Sequence, residues 1–214
     1  MNPQRKHELV WLLRRRKDLF VCMYNDLANR GAALFLADTL YRECCESPNR
    51  ITGRHMPMFI LIGSAHPDCG GDRLGPLVGD ILDRRGVTCG YMGTSARQID
   101  ASNLSYMLRL ARSLAELHNR RPYVIAVDAA TGMFGRVKVC RGALLPGEGN
   151  GINHLPPVGR VHLTIGMGMQ MNDLLFARPS VVQEMAEVVA EALVRFDAAL
   201  LQKEGDYHAA VPGS

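Results

Sequence analysis

Two runs of uninterrupted apolar residues, 58–62 (Met-Phe-Ile-Leu-Ile) and 123–127 (Tyr-Val-Ile-Ala-Val), constrain this chain more than any other feature. A strand with one wet face alternates polar and apolar side chains. These runs do not alternate, so each reads as a strand buried on both faces, the pattern of a sheet lying between two helical layers. The segments between them supply the helices. Leu74, Leu77, Val78, Ile81 and Leu82 recur at i, i+3, i+4, i+7 and i+8, one face of a helix. Leu104, Met107, Leu110, Ala111 and Leu114 mark a second helix over 103–118. Val181, Met185, Val188, Val189, Ala192, Leu193 and Phe196 mark a closing helix over 180–201.

Three further strands are expected. Residues 87–91 form a short one. Residues 136–139 alternate polar and apolar, which predicts an edge-like strand with one wet face. Residues 161–166 form the last, after a long Gly/Pro-rich loop over 142–159. Alternating strands and helices predict a three-layer α/β/α sandwich with a mostly parallel, twisted sheet. Strands 58–62, 123–127 and 161–165 are expected side by side at its centre.

Residues 1–46 read as a helical extension of the same single domain, 1–214. Val10, Leu13 and Phe20 suggest one helix; Ala32, Leu34, Leu36 and Leu40 suggest another. Ser47-Pro48-Asn49-Arg50 separates this extension from the 57–202 core. The basic run Arg14-Arg15-Arg16-Lys17 falls on the solvated face of the first helix, with a membrane-surface or partner-binding role as the alternative.

Composition removes several function classes. At 47% apolar and 21% charged, the balance is that of an ordinary globular protein. The net charge of +4 is concentrated in the Arg14-to-Lys17 run, too narrow a patch for a nucleic-acid interface. Six cysteines contain no C-x-x-C pair, which argues against structural zinc and for reduced thiols. No segment approaches the ~20 apolar residues of a membrane span. The apolar stretch 9–13 is too short for a signal peptide. A cytoplasmic protein with no membrane partner is expected.

Two carboxylates stand out. Asp72 follows the first core strand and Asp128 directly follows the third. Ligands of open α/β sheets bind beyond the carboxyl ends of the strands, so both acids can face one crevice. Two carboxylates held close share a proton and divide acid and base roles, or hold a divalent cation. For Asp72 the plainer reading is a helix N-cap, and for Asp68 a local turn. Gly70-Gly71 and Gly147-Glu148-Gly149-Asn150-Gly151 let backbone approach a substrate, so Gly71, Gly147, Gly149 and Asn150 are candidate binding residues. His66 and His154 are loop histidines, open as metal ligands or proton shuttles. Cys69 is either a reactive thiol or a quiet one. Phosphate-loop, dinucleotide and nucleophile-elbow patterns are all missing.

Taken together, several motifs resemble the YyaC family of sporulation proteins. They are Gly63-Ser64, then Gly71-Asp72-Arg73-Leu74-Gly75-Pro76-Leu77-Val78-Gly79, Asp128-Ala129 with Gly132, Gly142-Ala143-Leu144-Leu145-Pro146-Gly147, and Leu155-Pro156-Pro157-Val158-Gly159. The resemblance spans roughly residues 57–202. That family is similar to the spore germination protease and, more distantly, to hydrogenase maturation endopeptidases. The resemblance implies the same sandwich, of the phosphorylase/hydrolase-like kind, catalytic aspartates at Asp72 and Asp128, and an endopeptidase of sporulation or germination acting on a protein or peptide without a cofactor. The hydrogenase enzymes bind nickel at the corresponding acids with a histidine; a metal-dependent version here would use Asp72, Asp128 and His154. A catalytically silent protein that binds a peptide or protein is the remaining alternative, and homo-oligomerisation is left open. The loop His66-Pro67-Asp68-Cys69 and the stretch Gly166-Met167-Gly168-Met169 depart from the family pattern.

Overall fold

The computed structural model describes residues 18–22, 30–48, 50–147 and 154–210. In chain order its elements are β1 (Asp18–Cys22), α1 (Arg30–Tyr41), β2 (His55–Leu61), α2 (Leu74–Arg85), β3 (Gly90–Met92) and α3 (Leu104–Leu117). Then come β4 (Arg121–Ala130), β5 (Val137–Arg141), β6 (Val161–Gly166), α4 (Met171–Leu175) and α5 (Pro179–Ala210). A π-helical turn, Arg42–Glu46, continues α1, and a 3-10 turn, Pro67–Arg73, leads into α2. Among the described residues no helix is long and apolar enough to cross a membrane.

The sheet order is β1-β5-β6-β4-β2-β3. Strands β6, β4, β2 and β3 are mutually parallel; β5 is antiparallel to β6, and β1 to β5. The three strands expected at the centre, β2, β4 and β6, are adjacent there.

Strand alternation sorts the core into two layers. One face carries Phe59, Leu61, Ile125, Val127, Leu163 and Ile165, all buried against α1, α2 and α5. Phe59 meets Phe196 of α5 with ring centroids 6.1 Å apart, and each such buried side chain contributes about 2–3 kcal/mol. The other face carries Met58, Ile60, Val124 and Ala126, packed beneath Ile99, Leu104 and Ala111. On that side α3 lies against β2 and β4, while Leu144 and Val158, bridged to each other, close over part of the remainder. The third layer therefore leaves a gap above β4, β6 and β5.

Several expectations need correction. Phe20 sits in β1 rather than in a helix, because residues 18–22 pair with β5 and satisfy its outer edge; residues 1–17 lie outside the described residues. As a consequence β5 is internal to the sheet, although Lys138 is exposed on its cleft face and Arg141, on the opposite face, pairs with Glu43. In α1 the buried stripe is Ala32, Ala33, Leu36, Ala37 and Leu40, and Leu34 is exposed because it falls on the opposite side of a 3.6-residue turn. The third strand is shorter and later than 87–91. Strand β4 does not stop at Val127 but pairs with β6 through Ala130. Helix α5 begins near the expected residue but runs on to Ala210, with Val182 rather than Val181 fully buried. Helix α4 has no counterpart in the sequence expectations.

Candidate active site

Asp128 lies within β4, opposite Thr164 of β6. Period-2 alternation puts it on the same face as Val124 and Ala126, but beyond the part that α3 covers. Its carboxyl thus opens into the gap in the third layer. Asp72 arrives from the other side, at the end of the 3-10 turn. Two glycines make that approach close enough. A Cβ on Gly63 would lie 2.0 Å from the Asp72 carbonyl oxygen, and one on Gly75 would lie 2.1 Å from the Ile62 carbonyl oxygen. Both distances are forbidden to a real side chain, so only glycine lets the 3-10 turn and α2 settle against the end of β2.

Asp72 is not the helix cap. The residue before α2 is Arg73, in helical conformation, with no side-chain capping bond. The turn itself begins at His66, whose Nδ1 accepts the Asp68 N–H at 3.3 Å. The Asp72 carboxyl is thereby released from the structural duty that its position before a helix suggested.

Asp72 and Asp128 line one cleft of about 690 Å³. Asp100 lies on the same side, held below the usual carboxylate range first by the Ser102 hydroxyl, against the opposing pull of burial. The floor continues across β6 and β5 through Thr164, His162, Arg136 and Lys138. Met133, Leu145 and Leu175 form an apolar rim, and all three are partly exposed.

The cleft raises both central acids. Burial, then the charge of Asp72, push the Asp128 carboxyl up to about 8, opposed by the Ala129 backbone N–H. Burial also raises Asp72. Asp128 therefore keeps its proton at neutral pH. One neutral carboxyl that donates and one carboxylate that accepts is the division of roles that acid–base hydrolysis requires.

The other candidates fall in different places. Gly147 lines the cleft. Gly71 is buried against the Met167 side chain and the Leu174 carbonyl, so its backbone packs against protein. Gly149 and Asn150 lie outside the described residues. His154 is exposed and does not line the cleft; nor do His66 and Cys69. Among the described residues no group of three His, Cys, Asp or Glu side chains converges as a metal site. Of the three ligands that a metal-dependent version would use, Asp72 and Asp128 share the cleft and His154 does not join them there.

Sequence reasoning passed over Thr164, His162, Lys138, Arg136 and Asp100. A signal was present for the first two. Residues 161–165 (Val-His-Leu-Thr-Ile) alternate, with Val161, Leu163 and Ile165 buried while His162 and Thr164 are only partly so. This polar face of the strand is part of the cleft floor.

The fold and the site define a class: an α/β/α sandwich carrying a two-carboxylate cleft at the carboxyl ends of its central strands. A family model described as a protein of unknown function (DUF1256) matches residues 29–192, and the chain belongs to that family. Comparison with curated proteins gives no match.

Proposed function

We propose that this protein is an aspartate-dependent endopeptidase, acting on a protein or peptide in the cytoplasm of a sporulating cell or spore. The observation that carries the reading is the Asp72–Asp128 pair in one cleft, both raised by burial and Asp128 further by the charge of Asp72, so that Asp128 keeps a proton at neutral pH. The partly exposed apolar rim of Met133, Leu145 and Leu175 suits a polypeptide better than a small polar metabolite. The sporulation setting rests on the motif resemblance to the YyaC family.

In the proposed reaction Asp72, ionised, takes a proton from a water molecule as its oxygen bonds to the scissile carbonyl carbon. Asp128, protonated, donates a hydrogen bond to the carbonyl oxygen and stabilises the charge that develops there. As the C–N bond breaks, the amine leaves with the proton that Asp72 took from water, and Asp128 retains its own. The pair thus ends the cycle with the one proton it began with.

The reading predicts that Asp72→Asn and Asp128→Asn each abolish hydrolysis in a folded protein, because an amide keeps the volume but exchanges no proton. Small spore proteins are the first substrates to offer, with products mapped by mass spectrometry. In the parent, activity should decline as pH rises through about 8, where Asp128 loses its proton. A well-folded Asn variant that cleaves as fast as the parent would rule out the catalytic role. Tight binding without cleavage by the parent would instead favour the silent-binder alternative.

A further inference from the structure

The cleft floor is polarised. Register places Asp128 opposite Thr164, and Thr164 opposite Lys138, so these three form one row across β4, β6 and β5. Asp72 and Asp100 lie toward the Asp128 end and Arg136 toward the Lys138 end. Two strand spacings separate the ends of the row, roughly 10 Å.

Lys138 has no structural reason to be there. Lysine is depleted in strands, and its usual use in sheets is to blunt an open edge. Strand β5 is flanked on both sides by β1 and β6, so edge protection does not apply. The side chain is exposed, and no ion pair to it occurs among the described residues. Its ammonium is a charged donor on the floor of a cleft whose acids lie at the far end.

We propose that Lys138 is the specificity-determining residue of this cleft and recognises a substrate carboxylate about three residues from the bond presented to Asp72 and Asp128. The spacing follows from the row: an extended peptide rises about 3.3 Å per residue, so three residues cover roughly 10 Å. This inference rests on the peptide-binding part of the proposed function but not on turnover. The carboxylate is either an acidic side chain or the peptide's own C-terminus, since an ammonium on a flexible stem suits both.

The test uses the full chain carrying Asp128→Asn, so that bound peptide is not consumed. Fluorescein-labelled octapeptides with Glu scanned through each position are titrated by fluorescence polarisation, each as free acid and as amide. Glu at one position should raise affinity about tenfold, and Lys138→Gln should remove that gain. Lys138→Glu should reverse the preference to Lys at the same position. A gain that follows the free terminus instead of a Glu position identifies the C-terminal carboxylate as the source and supports the same site. Affinity indifferent to both, a preference unmoved in Lys138→Glu, or no peptide binding at all overturns the proposal. The best binder is then offered to the parent protein. Cleavage three residues from the recognised carboxylate supports the spacing, and cleavage elsewhere overturns it. Binding without cleavage refutes the peptidase reading alone and leaves the carboxylate site standing.

Discussion

Asp128→Asn should make the protein more stable than its parent, increasingly so as pH rises. An aspartate in the unfolded chain titrates near 3.9, whereas Asp128 in the folded state is pushed up to about 8. Between those values the folded protein holds a proton that the unfolded chain has released, so the parent loses stability as pH climbs from about 4 to about 8. At 1.36 kcal/mol per tenfold difference the ceiling is roughly 5–6 kcal/mol. Asp128 opens onto the cleft and keeps some access to water, which reduces the realised penalty to about 1–3 kcal/mol. Asparagine has no charge to desolvate, so its stability carries no such slope, and groups elsewhere titrate alike in both proteins and cancel. Urea denaturation at pH 5, 7 and 9 should show the variant's advantage over the parent growing by that amount. In thermal melts each kcal/mol should appear as about 2–4 °C. A difference that stays flat between pH 5 and 9, or one that favours the parent more at high pH, would refute the account of Asp128 as a carboxyl held neutral by burial and by Asp72.

Three further outcomes are expected. Gly75→Ala should cost about 3 kcal/mol or more in denaturant unfolding, because the added Cβ lands 2.1 Å from the Ile62 carbonyl oxygen; a loss below about 1 kcal/mol would contradict that packing. Asp197→Ala should cost about 2–4 kcal/mol at neutral pH, since the buried Asp197 carboxylate accepts the Thr88 and Cys89 backbone N–H groups and the Thr88 hydroxyl. Burial pulls its pKa up, but the Cys89 and Thr88 bonds together hold it lowered. Its stabilisation is therefore present above about pH 4 and lost in more acid solution, and the gap between variant and parent should close there. Thiol titration of the unfolded protein, prepared without oxidant, should find all six cysteines reactive; a count of four would indicate a disulfide.

The elements differ in how legible they were. Strands β2 and β4 were readable because an unbroken apolar run has few homes other than a strand buried on both faces. Helices α2, α3 and α5 were readable from the 3.6-residue repeat of their buried side chains. Strand β1 was not, because five residues whose partner is β5, more than a hundred positions later, carry little periodicity of their own. Helix α4 is only five residues long and held by a reciprocal capping box between Gln170 and Asp173, a local device too short for periodicity to register.

The site divides in the same way. Sequence by itself pointed to Asp72 and Asp128 as neighbours in one cleft: each comes after an apolar run, and parallel strands bring their carboxyl ends to one side of a sheet. It also determined the sandwich, since side-chain period and apolar continuity are local properties of the chain. Only the tertiary structure decided that Asp72 is no cap, that β4 continues past Asp128, and that Thr164 and Lys138 extend the row across the cleft. Those facts depend on register between distant strands and on close approach at Gly63 and Gly75. Both are relations between segments that touch only after folding, so no stretch of sequence read alone contains them.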